Sequence, residues 1–188
     1  LLYLPWTIKP LWSPFVDIIK TKRWWILAMQ LLMSAAFILL TLTIPHPSAA
    51  VIASGHTPIN LFTITLLLFI ITAFASATHD IAADGFYMLA LSEDKQSFFV
   101  GIRSTFYRLS SIFGQGVLVY IAGSLEKSTG NIPLSWQVTM GITAALFTAT
   151  ALYHTFALPK PGRDALRTTD GKPQTFGDVL REFDHTFY

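Results

Sequence analysis

Asp80 and Asp84 stand four residues apart inside a long apolar stretch, so they share one face of a helix. At that spacing two carboxylates can hold a proton between them or pair with an arginine on a neighbouring helix. Arg103 and Arg108 lie in the next apolar stretch, and either could supply that partner. Tyr107 and Gln115 add hydrogen-bonding groups to the same stretch, His79 precedes Asp80, and Lys9 sits among Pro5, Pro10 and Pro14. Ionisable side chains are expensive in hydrocarbon, so each of these is by default a functional position. The chemistry they offer is proton exchange and ion pairing. A structural reading stands beside it: the helix leaves the membrane near His79, and Asp80 and Asp84 are interfacial charges paired with loop cations. Arg103, about five residues into its helix, could then snorkel to the interface. Arg108 lies deeper. The prolines around Lys9 can kink the backbone and free carbonyls for the ammonium group.

Long apolar elements must position these residues. Of 188 residues 52% are hydrophobic and 13% charged, with a mean hydropathy of +0.50. A soluble domain carries about 25% charged residues, so the deficit points to lipid. A bilayer core about 30 Å thick takes roughly 20 apolar residues in a helix. Five segments approach that length: 1–19, 24–44, 61–91, 98–125 and 136–158. The expected fold class is an all-α membrane protein, a helix bundle over 1–158 followed by a linker and a short amphipathic helix over 159–188. In that tail Thr175 and Asp178 form a capping box, with Phe176, Val179, Leu180 and Phe183 as the apolar stripe. Leu1 opens the chain already within an apolar segment, so a leading helix is expected upstream. Alternate loops place Lys20, Lys22, Arg23, Lys95, Lys160, Arg163, Arg167, Lys172 and Arg181 on one side and Lys127 alone on the other. The positive side is cytoplasmic, which puts the tail there too. Trp24, Trp25 and Trp136 fall at predicted helix starts, where indoles anchor at the interface. Gly141, Ala145 and Ala149, and likewise Ser110, Gly114 and Gly116, are small-residue faces suited to close helix packing.

Other function classes find no support. The chain has no cysteine, which removes disulfides, thiol chemistry and cysteine zinc sites. Its net charge of +2 and the absence of an aromatic-interleaved basic run do not suit nucleic acid. There is no phosphate-cradling Gly-rich loop, no H-E-x-x-H and no G-x-S-x-G, so neither an enzyme nor a metal site is expected.

The stretch Leu4-Pro5-Trp6-Thr7-Ile8-Lys9-Pro10-Leu11-Trp12-Ser13-Pro14-Phe15-Val16-Asp17 resembles the second helix of the AmpG-like muropeptide permeases, which read approximately L-P-x-x-x-K-x-L-W-x-P-x-x-D. These form part of the peptide/acetyl-coenzyme A transporter branch of the major facilitator superfamily. Ala75 to Gly85 resembles the S-A-x-Q-D-I-x-x-D-A of the fourth helix, with His79 in the place of Gln. Tyr107-Arg108, followed by Gly114 and Gly116, is similar to the Y-R-x-G of the fifth, and Trp136-Gln137 to the start of the sixth. Asp17 followed by Lys20, Lys22 and Arg23 resembles the superfamily's loop between helices two and three. Ser13 and Ile18 replace its usual Gly and Arg.

The resemblance covers about 4–158 and implies helices two to six of an amino-terminal half. It implies proton-coupled import of anhydro-muropeptides across the bacterial inner membrane by alternating access, with no cofactor and the proton gradient as driving force. Lys9, Trp12, His79, Asp80, Asp84, Arg103, Tyr107, Arg108 and Gln115 become candidates for the solute and proton pathway. Asp17, Lys20, Lys22 and Arg23 become a cytoplasmic gate. The implied partners are the lipid bilayer, a small solute and the missing carboxy-terminal half. A siderophore or an acyl-coenzyme A as cargo, and a membrane-embedded non-transport role, remain the competing readings.

Overall fold

The computed structural model describes residues 2–45 and 59–160, together with residues 162, 164, 168, 169, 172, 173, 177, 178 and 181. The amphipathic helix expected after Thr175 lies largely outside the described residues. Prolines set the first segment. Helix α1 (Leu4–Ile8), a 3-10 turn (Lys9–Leu11) and α2 (Ser13–Ile18) each carry a proline in their first two positions. Proline has no N–H to give and clashes with the carbonyl four residues back, so it opens a helix readily and interrupts one. The expected span over 1–19 is therefore three short pieces.

Helix α3 (Lys22–Thr43) follows, its N-terminus capped by Thr21 Oγ1, which accepts from Trp24 N at 3.2 Å. Helix α4 (Ile59–Ala90) has 32 residues. At 1.5 Å per residue it is about 48 Å long, well beyond about 30 Å of hydrocarbon. Helix α5 (Glu93–Ile112) runs through a π-helical turn (Phe113–Val117) into α6 (Leu118–Thr129). It starts before the expected Phe98 because Glu93 and Asp94 suit the positive end of the helix dipole. Gly130 ends α6 at φ 66°, a conformation that favours glycine. Asn131 Oδ1 then accepts from Leu134 N at 3.0 Å and begins α7 (Ile132–Ala157) ahead of the expected Trp136. Two-residue strands β1 (Thr168–Thr169) and β2 (Lys172–Pro173) pair antiparallel in the tail. Among the described residues, three helical stretches are long and apolar enough to cross a membrane: Lys22–Thr43, Leu61–Ala90 and Ile132–Ala157.

Helix α3 packs on both α4 and α7, and α7 packs on α6 as well. At one end Val16, Ile26, Ile81 and Ala82 form a buried cluster with Trp12, Trp25, Phe86 and Leu158 against it. At the other, Ala36, Leu40 and Leu68 are buried with Phe37 and Phe69. Ala73, Ala75, Ala77 and Ala82 on α4 let the backbones come close. On α7 the buried positions are Ser135, Thr139, Thr143, Ala144 and Ala151. Thr139 and Thr143 satisfy their hydroxyls on the carbonyls of Ser135 and Thr139, at 2.8 and 3.0 Å, as hydroxyls away from water must. On the expected small-residue face of α7, Gly141 approaches Thr41 of α3, while Ala145 and Ala149 are exposed and border a groove between α7 and α3. The second small-residue face is open as well. Ser110 is exposed, and a Cβ at Gly114 or Gly116 would meet nothing within 4 Å.

Candidate functional site

Asp80 is the centre of an ionic cluster. Its Oδ2 lies 2.7 Å from Lys9 Nζ and its Oδ1 3.4 Å from Arg103 Nη2. Arg103 also pairs with Asp84, one turn further along α4. Two cations and two carboxylates thus join the first segment, α4 and α5. Each piece has a local cause. The Pro5 and Pro10 breaks turn Lys9 toward α4. The i, i+4 spacing aligns the carboxylates. Arg103 sits where α5 passes α4. All four side chains keep some exposure within this chain, from 30% for Lys9 to 50% for Arg103. Beside it Trp12 donates from Nε1 to Thr78 Oγ1 at 3.2 Å and packs its ring on Phe74 at 5.4 Å.

The structure selects Arg103 over Arg108 as the carboxylates' partner. Tyr107, Arg108 and Gln115 are exposed on α5 and the π turn, outside the cluster. They present polar groups on a face that the rest of the described chain leaves uncovered.

At the end of the bundle bearing the cationic loop residues, Asp17 pairs with Lys22. The Lys22 side chain lies across Gly85 of α4, where a Cβ would come within 2.8 Å of Lys22 Cε. Only a glycine lets the lysine pass so close. The backbone N–H groups of Lys22 and Arg23, the free donors at the start of α3, both donate to Asp164, at 2.7 and 3.0 Å. Arg23 turns the other way and donates to Leu158 O at 3.3 Å and Thr155 O at 2.8 Å, satisfying carbonyls at the end of α7. Lys20 is exposed and takes no part in this clasp.

His79 does not join the ionic cluster. It faces α3, where Gln30 Nε2 lies 3.2 Å from His79 Nε2 and 2.7 Å from His154 Nδ1 of α7. Ser34 and Thr148 add a hydroxyl pair between α3 and α7. Gln30, His154 and Asp164 are the polar residues that sequence reasoning passed over. A signal existed for the first two, since Gln30 is the one amide within the apolar run of α3 and His154 the one histidine within that of α7. Asp164 carries no such mark.

Among the described residues no group of three or more His, Asp or Glu is placed to hold a metal ion. The arrangement suits reversible ion pairing and protonation within a membrane bundle.

Comparison with known proteins supports the membrane bundle. The family model described as Major Facilitator Superfamily matches residues 4–185. An uncharacterized protein of Haemophilus influenzae is 25% identical over 185 residues, covering 96% of this chain and 38% of that protein. The chain therefore spans well under half the length of that relative. No solved structure matches the chain. With the family match running over nearly its whole length and three apolar helices packed as a bundle, the chain belongs to the Major Facilitator Superfamily, a family of multi-pass membrane transporters.

Proposed function

We propose that the chain forms part of the amino-terminal half of a proton-coupled permease. The permease imports anhydro-muropeptides, or a closely related solute, across the bacterial inner membrane. The observation that carries the reading is Asp80, one carboxylate placed between Lys9 and Arg103 from two different elements. A carboxylate held this way is a two-state element whose populations a proton shifts. Ionised, it draws the first segment and α5 onto α4. Protonated, it releases Lys9, while Asp84 keeps hold of Arg103. In a bundle that works by rocking about a midplane site, such a pair converts proton binding into helix movement.

Trp12, Tyr107, Arg108 and Gln115 are the residues we assign to the solute side, because Trp12 lies beside that cluster and the other three present polar groups on the open face of α5 and the π turn. Asp17, Lys22 and Arg23 close the cytoplasmic end, with the tail on the same side as the Lys/Arg bias requires. No cofactor is assigned, and the proton gradient drives the cycle. The second half of the site comes from a carboxy-terminal half outside this chain, as the greater length of the relative suggests.

The test is uptake of radiolabelled anhydro-muropeptide by the complete protein in vesicles under an imposed proton gradient. Asp80→Asn is expected to lower gradient-driven uptake about tenfold, the size of a typical coupling free energy, and to flatten its pH profile. If Asp80→Asn and Asp84→Asn both transport like wild type with an unchanged profile, the coupling assignment is wrong. A wild-type protein that takes up a siderophore or an acyl-coenzyme A but no muropeptide would move the cargo to those classes. Labelling of Lys127 from the cytoplasmic side would overturn the orientation.

A further inference from the structure

Gln30 is 3% exposed in the middle of α3, and its amide is shared by two imidazoles from two other helices. Its nitrogen reaches both rings. Its oxygen reaches one, lying 3.1 Å from His154 Nδ1. A primary amide carries both its hydrogens on nitrogen and accepts only at oxygen. His79 Nε2 meets the nitrogen alone, so it must accept. An imidazole nitrogen accepts only when it bears no proton. His154 Nδ1 meets both amide atoms, so it can accept from the nitrogen or donate to the oxygen. This amide orientation therefore admits a proton on His154 Nδ1 and rejects one on His79 Nε2.

We propose that His79 is a proton-sensitive positioning residue that, with the Gln30 amide in this orientation, ties α3 to α4 only while its Nε2 is unprotonated. A proton taken up from water at that nitrogen sets two N–H donors against each other. Either the amide turns over or the helices part. An amide that turned over would bring its oxygen within reach of both rings and keep the tie, so the proposed switch requires that the helices part. The charged and titratable groups around the device are few. Asp80 follows His79 on α4, held by Lys9 and Arg103 with Asp84 beside it. On α7 the Tyr153 ring lies 5.6 Å from that of His154, and Arg23 of α3 reaches Thr155 O. His79 and Asp80 point about 100° apart around α4. One helix thus carries two proton-sensitive contacts, Asp80 to the first segment and α5, and His79 to α3.

The place of this device in a transport cycle rests on the function proposed above; its chemistry does not. The test therefore uses a readout that needs no transport. This chain has no cysteine, so spin labels can be attached at Leu31→Cys on α3 and Met88→Cys on α4, both exposed positions. Any cysteine elsewhere in the complete protein is replaced. The interlabel distance is followed from about pH 8 to about pH 4, through and below the ordinary histidine titration near 6.5. Wild type is expected to shift to a longer or broader distribution in that interval. His79→Gln, whose amide oxygen still accepts but does not titrate, is expected to lose the shift. Gln30→Leu, lacking both bonds, is expected to show at neutral pH the distribution that wild type reaches in acid, and it decides the matter if His79→Gln does not fold. A wild type without a shift overturns the proposal, as does a His79→Gln that shifts like wild type, or a Gln30→Leu that keeps the wild-type response. Muropeptide uptake is measured on the same samples. A His79-dependent shift without uptake would remove the permease reading alone, and uptake without the shift would remove this inference alone.

Discussion

Helices α3, α4 and α7 bury their polar groups against one another, whereas α5, the π turn and α6 bury almost nothing. In the first group Gln30, Ser34, Ser135, Thr139 and Thr143 are all buried, and each finds a partner on another helix or on its own preceding turn. In the second, α5 and the π turn have no buried residue and α6 has only Ala122. Tyr107 is 74% exposed, and Phe98, Phe106, Ile112 and Tyr120 are open too. Two links hold this arm to α4: the Arg103 pairs, and a hook at the α4–α5 turn where Tyr87 donates to Gln96 O and Gln96 Nε2 donates to Leu91 O at 3.1 Å. In lipid no hydrophobic force drives helices together, so association depends on close packing and polar contacts. The three-helix group has both. The arm has less of both: the Arg103 pairs and the turn join it to α4, and α6 packs along α7.

The sharpest way to break that contrast is to remove the arginine. Arg103→Ala is expected to reduce gradient-driven uptake by about tenfold, within the usual range of coupling energies, and to lower the thermal midpoint of the detergent-solubilised protein. Arg108→Ala is expected to raise the solute KM and leave the midpoint unchanged, because Arg108 stands outside the cluster. Equal losses of stability in the two variants would show that the arm is held along its length rather than at Arg103.

That distinction was partly legible beforehand. The i, i+4 spacing of Asp80 and Asp84 announced a shared face, and the choice of partner was narrowed to Arg103 or Arg108. The Lys9–Asp80 pair was not legible as a contact, since it joins residues 71 apart and depends on how three prolines turn the first segment. The buried Thr139–Thr143 face of α7 was not legible for a physical reason. Lipid and protein interior are equally apolar, so hydropathy does not tell the Thr139–Thr143 face from the Ala145–Ala149 face. Small residues permit close packing without requiring it. Asp164 was illegible because its role is set by the open N–H groups of α3, more than 140 residues earlier.

The Asp164 clasp gives a smaller effect on the packed side of the comparison. Asp164→Ala removes the acceptor for two N–H groups at the start of α3 and is expected to cost about 1 kcal/mol, as lost helix caps do, read as a lower thermal midpoint. Asp164→Asn keeps an acceptor oxygen and is expected to recover part of the loss. If neither variant changes the midpoint, the start of α3 is satisfied by water and the tail does not brace the three-helix group.

The smallest effects come from one substitution made in both regions, with opposite signs expected. Gly85→Ala on α4 places a methyl group where Lys22 crosses, so the lysine must lift and its pair with Asp17 must loosen. Overpacking of this kind costs about 1 kcal/mol when a flexible side chain can yield. Gly101→Ala on α5 meets nothing within 4 Å and sits inside a regular helix. There the substitution removes only the excess freedom of glycine in the unfolded chain, and the expected gain is about 0.5 kcal/mol. Thermal midpoints of the two variants, measured in the complete protein, read both signs in one experiment. A gain at Gly101 means that this side of α5 faces lipid or a water-filled cavity. A loss means that a helix outside this chain presses on it, and the arm is then covered in the whole transporter by contacts as close as those of α3, α4 and α7.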